Sequence, residues 1–253
     1  MKFVPKTSTT RQILLSTLRS LGYTSLELLI NPLQFGIPNS RLRYYCLAKR
    51  TPYKFHGVVT GIPDKVWRHI PGHATWTDPR LDAQHPVDTQ NEALSLDDDI
   101  LQIHEYLDEQ SSPGEPHPNV IPEKVLLKWG RLFDIVVPSS RRTCCFTRGY
   151  SQLVERAGSV IQVNESLDTT ETFNKFLQAR SENDEDAIQI LRPLGLRYFS
   201  PAELLRIFHF TPPQSDSIFA WPAGISTKTK YRLIGNSVNV KVVKELIRYL
   251  FQE

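Results

Sequence analysis

The stretch Thr10–Lys49, "TRQILLSTLRSLGYTSLELLINPLQFGIPNSRLRYYCLAK", decides the fold. In its first third Ile13, Leu14, Leu18 and Leu21 recur at helical spacing. Thr7 and Ser8 stand ahead of them as capping residues and Gly22 follows as a stop, so a helix is expected over Thr9–Leu21. "SLELLI" and "LRYYCLAK" read as strands, separated by "NPLQFGIPNSR", a loop punctuated by Pro32, Gly36 and Pro38. Helix, strand, loop, strand in that order belongs to the closing end of an α/β sheet.

Working outward, the 253 residues are 40% hydrophobic, enough for a sizeable core and a soluble globular chain. No run approaches the roughly 18 apolar residues of a membrane span, and "MKFVPKTSTTRQ" has no apolar stretch between its basic residues and a cleavage site. Neither membrane nor signal peptide is expected. Cys46, Cys144 and Cys145 have no metal-ligand spacing, and an odd count with two adjacent cysteines fits a reducing compartment, cytoplasm or nucleus. No metal is expected. A net charge of +3 says little, but the basic residues cluster in "NSRLR", "SSRRT" and "KTKYR", a pattern suited to nucleic acid.

From Thr51 to Asp88 the chain is rich in Pro, Gly, His and Trp and has no sustained period, so irregular structure with short strands is expected. An acidic segment follows, with an interrupted helical period around Leu94–Leu107 and then a Pro and Gly stretch, which reads as a solvated insertion. Strands are expected around Thr143–Phe146 and Ser159–Val163, giving a small β-rich region. "DTTETFNKFLQARSENDEDA" is a polar loop or short helix. "LRYFSPAELLRIFHF" carries a helix with Ser200 at the N-cap, Pro201 at N1 and Glu203 at N3. The terminal helix, about Val238–Phe251, should bury Val242, Val243, Leu246, Ile247 and Leu250 and expose Lys241, Lys244, Glu245 and Arg248. Just before it, Gly235 can take a positive φ and Asn236 or Ser237 can cap the turn; the same amides could instead hold a ligand's polar group.

Three separated pieces, "GIPNSRLRYYCLAK", "RRTCCFTRGY" with "GSVIQ", and "LRYFSPAELLRIFHF" with "YRLIGNSVNV", together resemble the C5-cytosine methyltransferase family in order and spacing. Cys-Phe-Thr at Cys145–Thr147 points to its tRNA-modifying branch. The resemblance implies an α/β fold: the C-terminal part of a SAM-dependent, Rossmann-like methyltransferase with a small β-rich target-recognition region. It divides the chain into residues 1–50, the end of the catalytic domain; 51–190, the recognition region with an acidic insertion at about 89–119; and 191–253, returning to the catalytic domain. It implies S-adenosyl-L-methionine as cofactor and tRNA as partner, specifically an unpaired anticodon-loop cytosine, position 38 of aspartate tRNA, with DNA as an alternative substrate.

By the same resemblance Arg41 and Arg43, alternating at a strand entry, would bind the target base, Arg43 directly. Gly235, Asn236, Ser237 and Val238 would lie beside the methyl donor. Arg141, Arg142, Cys145, Phe146, Thr147, Arg148 and Tyr150 would contact nucleic acid, with Cys145 a target contact or a packing residue rather than the nucleophile. Arg197, Ser200 and Glu203 would brace the recognition region. His209 stands where the family commonly has glycine, which puts the tightness of that turn in question.

The chemistry requires a thiolate to add to cytosine C6 so that C5 can accept a methyl group. The family supplies that thiol in a Pro-Cys-Gln, the acid in a Glu-Asn-Val and the donor loop from glycines, and these 253 residues contain none of the three. Three explanations follow: a longer protein of which this is the C-terminal two-thirds, a non-catalytic RNA-binding remnant, or one chain of a split enzyme whose partner supplies the N-terminal half. In each, the 253 residues alone are expected not to transfer methyl groups. Without the sheet that the family packs beneath them, the first and last helices should expose apolar stripes and make the isolated chain sticky.

Overall fold

In a computed structural model, the structure describes residues 8–58, 65–72, 99–109, 117–184, 186–213 and 219–252. The chain divides into two compact units. The first comprises Met1–Gly36, Arg41–Asp99 and Val240–Glu253; the second comprises Ile37–Ser40 and Ile100–Asn239. The sequence reading divides the chain at residues 50 and 190, and the compact units divide it after Gly36, Ser40, Asp99 and Asn239. Residues 191–239 stay with the second unit, and the chain returns to the first only at Val240.

In the first unit, helix α1 (Thr9–Ser20) leads into strand β1 (Tyr23–Ile30), which pairs antiparallel with β2 (Arg43–Arg50) and parallel with the short β3 (Val66–Trp67). The Ser8 hydroxyl caps α1 by accepting from the Arg11 amide, and Gly22 takes φ 79° directly after the helix, as a left-handed stop requires. Period-two alternation splits β1 between two faces. Leu26, Leu28 and Ile30 join Phe55, Ile70, Val242, Leu246 and Tyr249 in a core that takes the inner face of helix α6 (Val240–Leu250). Glu27, on the other face, meets α1.

That contact overturns the expected α1 stripe. Ile13, Leu14 and Leu21 are 60%, 45% and 61% exposed, and the inward residues are Arg11 and Leu15. Arg11 donates twice to the Glu27 carboxylate, at 2.5 and 2.6 Å, in a pair that is almost wholly buried. A buried carboxylate needs its cation, and satisfying it fixes the helix rotation ahead of the aliphatic preference. In α6, Ile247 is likewise 50% exposed and Tyr249 takes the inward place, donating to the His56 carbonyl at 2.7 Å.

In the second unit, helix α2 (Glu123–Trp129), β4 (Asp134–Val136), β5 (Ser159–Gln162), helix α3 (Thr169–Ser181) and β6 (Leu196–Arg197) form a three-stranded sheet with helices against it. β5 is central, parallel to β4 and antiparallel to β6, and all four of its residues are buried. The polar segment left open as loop or helix is α3, capped by the Asp168 carboxylate and anchored by Phe173 and Phe176. Thr143–Phe146, expected as a strand, forms none; its one β-type pairing is an isolated bridge between Thr143 and Asn39. Of the interrupted helical period read as a solvated insertion around Leu94–Leu107, residues 94–98 lie outside the described residues; the rest holds one 3-10 turn, Ile103–Tyr106, whose Ile103 and Tyr106 are buried. Helices α4 (Pro201–Ile207) and α5 (Thr227–Asn236) complete the unit.

Candidate functional site

In the second unit the segment Thr143–Tyr150 is built almost without regular structure, so its backbone groups are satisfied one by one. The Thr143 amide donates to the Pro38 carbonyl at 2.9 Å, and the Ser40 amide donates to the Thr143 carbonyl at 2.9 Å. The buried Asn39 side-chain amide donates to Thr143 Oγ1 and the Cys144 carbonyl, each at 3.0 Å. The Cys144 amide donates to Ser159 Oγ at 2.7 Å, and that hydroxyl donates onward to Asp134. Asn39, inside the quoted "NSRLR", thus positions the "CCFT" segment from more than a hundred residues away, a role no local pattern announces.

Phe146 and Tyr150 are fully buried in an aromatic cluster with Phe199, Tyr198 and Tyr231. Tyr150 donates to the Ser159 carbonyl at 2.8 Å and accepts from the Phe199 amide at 2.9 Å, and burial pushes its phenol well above the ordinary range. These two side chains hold the segment in place, so the expected nucleic-acid contacts narrow to the accessible ones. Arg142 and Arg148 are exposed; Arg141, Cys145 and Thr147 are half-buried. Arg141 donates to the Ile100 carbonyl.

Gly235 does not take a positive φ. It lies in the last turn of α5, with the extended Ser237 closing that helix. Its lack of a side chain serves a close approach instead: a methyl group there would overlap the Thr147 carbonyl and the Arg148 nitrogen. The backbone of Thr147–Arg148 is pressed directly onto α5. Lys228, Arg232 and Gly235 follow one another at i, i+4 and i+7, so the exposed Lys228 and Arg232 lie along the side of α5 that meets Arg148. Of the neighbouring residues, Ser237 donates its hydroxyl to the Ile234 carbonyl at 2.6 Å, whereas the side chains of Asn236 and Val238 are exposed.

Beneath this lies an ion-paired brace. Arg197 donates to both oxygens of Glu203 at 2.9 and 2.8 Å, with Glu203 fully buried. The Glu203 carboxylate also accepts the Ser200 amide at 2.7 Å in a capping box and the Asp108 amide at 3.0 Å. Asp108 accepts from Ser200 and Arg206. Asp108, His117 and Glu203 have ligand atoms within 4.8 Å of one another, but both carboxylates already hold protein donors and His117 Nδ1 accepts the Asn119 amide, so the group works as a brace rather than a cation site. His209 takes φ 59°, so the turn keeps its left-handed geometry with histidine in the glycine's place.

In the first unit Arg41 is buried immediately before β2, its amide donating to Asn31 Oδ1 at 3.0 Å, and Arg43 opens the strand half-buried. Burial pushes the Tyr45 phenol up against the opposing effect of the Arg41 and Arg43 guanidinium groups, and Arg43 and Tyr45, two apart in β2, share one side of the strand. Cys46 points to the opposite side. There burial and the Glu27 carboxylate push its thiol up, the reverse of what a nucleophile needs.

In the second unit an irregular segment bearing Arg142 and Arg148 is seated on a helix, and in the first unit Arg41 and Arg43 stand at a strand entry. The chain belongs to the C-5 cytosine-specific DNA methylase family, whose model matches residues 3–252. It is 33% identical over 96% of its length to a Bos taurus tRNA (cytosine(38)-C(5))-methyltransferase, of which it covers 67%. It is 34% identical over 93% of its length to the Schizosaccharomyces pombe protein of that name, of which it covers 57%. A crystal structure of Spodoptera frugiperda DNMT2, a triple mutant, matches with TM-score 0.71 and 29% identity, covering 97% of this chain and 63% of that one. The family expected from "NSRLR", "CFT" and "GNSV" is the family found, and the fold class is that of its α/β methyltransferases. Among the described residues no helix is long and apolar enough to cross a membrane.

Proposed function

We propose that this chain carries the base-binding and target-recognition part of an S-adenosyl-L-methionine-dependent tRNA (cytosine-5-)-methyltransferase, acting on cytosine 38 in the anticodon loop of aspartate tRNA in the cytoplasm or nucleus. The observation that carries the reading is the seating of Thr147–Arg148 on Gly235, which sets the Arg148 backbone against the side of α5 that carries Lys228 and Arg232. Three exposed cations in such a row suit consecutive phosphates of an RNA backbone. Arg41 and Arg43 supply guanidinium donors suited to a cytosine carbonyl or a flanking phosphate. The names of the relatives support the substrate class.

The accessible Asn236 amide and the Val238 side chain fit a polar and an apolar portion of the methyl donor, whereas Gly235 and Ser237 are committed within the second unit. When bound, that donor supplies an electrophilic methyl group. The chain's own residues orient the base and hold the RNA. The nucleophilic step requires a thiolate in a Pro-Cys-Gln, which these 253 residues do not contain.

Fluorescence anisotropy with aspartate tRNA tests the reading. The 253-residue chain is expected to bind with a salt-dependent affinity, and Arg148→Ala, Lys228→Ala and Arg232→Ala are each expected to flatten the slope of log K against log salt by about 0.7–0.9. Labelled donor is expected to give no methyl transfer. Absence of any salt-sensitive tRNA affinity would sink the proposal. A DNA-directed activity is the second reading, favoured by a Dictyostelium discoideum relative, 31% identical, named a DNA (cytosine-5)-methyltransferase; tighter binding of duplex DNA than of tRNA would select it. Copurification of a chain bearing the Pro-Cys-Gln would select the split-enzyme form, and tRNA binding without such a partner the non-catalytic one.

A further inference from the structure

Beside Lys230, on a different side of α5 from Lys228 and Arg232, the second unit presents an aromatic group that the reading above does not use. Phe219 is 38% exposed and stands between Phe210 and Trp221, with ring centroids at 5.8 and 4.9 Å and interplanar angles of 67° and 71°. The Lys230 ammonium lies over the Trp221 ring, 5.6 Å from its centroid. A hundred-degree step per residue puts Lys230 well around the helix from the Lys228 and Arg232 row. Residues 219–239 contain Lys228, Lys230 and Arg232 and no acidic residue at all.

An exposed phenyl face walled by two other rings is costly to leave in water and fits a flat, apolar ring. The charges within residues 219–239 are all cationic, which suits an anionic owner for that ring. An unpaired nucleobase of RNA meets both conditions, because every base has a π-face and its phosphates match the lysines.

We infer that Phe219, flanked by Phe210 and Trp221 and served by Lys230, is a stacking platform for an unpaired RNA base, separate from the phosphate row of Arg148, Lys228 and Arg232. The inference rests on the RNA-binding reading above. It gives the protein a salt-independent component of affinity, since stacking releases few counterions.

The test uses the 253-residue chain and a single-stranded oligoribonucleotide carrying 2-aminopurine at unpaired positions. The unaltered chain is expected to quench the 2-aminopurine fluorescence on binding. Phe219→Ala and Trp221→Ala are expected to abolish most of that quenching and to weaken binding by about ten- to hundredfold with an unchanged salt slope. Lys228→Ala with Arg232→Ala should flatten the slope and keep the quenching at saturation. Phe219→Leu, which preserves apolar volume without a π-face, should behave as Phe219→Ala and guards against a folding defect, checked by near-UV circular dichroism. Normal affinity and full quenching in Phe219→Leu would overturn the platform while leaving RNA binding intact; no binding of the unaltered chain to any RNA would overturn the functional reading itself.

Discussion

Gly235 shows how one absent side chain can set the geometry of a recognition segment. A methyl group at that position has nowhere to go, since the obstruction is the Thr147–Arg148 backbone rather than the flexible end of a side chain. Gly235→Ala is therefore expected to destabilise the protein by about 1–3 kcal/mol through overpacking, read as a lower denaturant midpoint, even though alanine is the better helix former. Glu203 is the opposite case, a buried charge whose every neighbour depends on it. Glu203→Ala would strand Arg197 and remove the α4 capping box, and a loss of about 3–5 kcal/mol is expected in chemical denaturation. The cysteines should separate by environment: at neutral pH a mass-resolved thiol reagent should modify the exposed Cys144 before Cys46, whose thiol is pushed up by burial and by Glu27.

Helix α6 and helix α1 illustrate how an element's rotation is chosen. Both carry more apolar residues than one face can bury, so periodicity alone leaves several rotations open. In α6 the decision falls to Tyr249, which brings a large ring to the core and a hydroxyl to the His56 carbonyl, and Ile247 is turned outward. Leu246→Ala is expected to cost about 2–5 kcal/mol and Ile247→Lys to stay within about 0.5 kcal/mol, by thermal or urea unfolding. In α1 the decision falls to the Arg11–Glu27 pair, a contact sixteen residues apart in sequence. Helix α4, by contrast, is written locally: Ser200, Pro201 and Glu203 specify its first turn, and the structure adds only what the capping carboxylate pairs with.

At the scale of the molecule, both units depend on tyrosines held neutral. Burial raises the phenols of Tyr106, Tyr150 and Tyr231, and pushes Tyr249 up to about 12. A raised folded-state value means that the unfolded chain releases these protons first. Their contribution is complete below the ordinary tyrosine value of about 10 and is lost as pH rises above it, by up to about 1.4 kcal/mol per pH unit for each phenol that remains protonated in the fold. Unfolding monitored between pH 8 and 12 is expected to show stability falling only in the upper half of that range. The exposed Ile13, Leu14, Leu21, Ile247 and Phe251 of the first unit predict self-association of the isolated chain, and a monodisperse profile in size-exclusion chromatography would contradict this.

By itself the sequence determined helices α1 and α4 with their caps, the terminal helix, the strands β1, β2 and β5, the family, and the basic clusters, because caps, alternation and motif order are properties of neighbouring residues. It also placed Arg41 and Arg43 at a strand entry and the "CCFT" segment beside a basic cluster. Only the tertiary structure decided that Phe146 and Tyr150 are core, that Asn39 holds the segment from afar, and that Gly235 is a contact surface for backbone rather than a turn. It alone brought the Arg148 backbone against the side of α5 that carries Lys228 and Arg232 and left Phe219 partly exposed. Those outcomes depend on which groups compete for limited interior space and on buried polar atoms that must find partners, and both are settled between residues far apart in the chain.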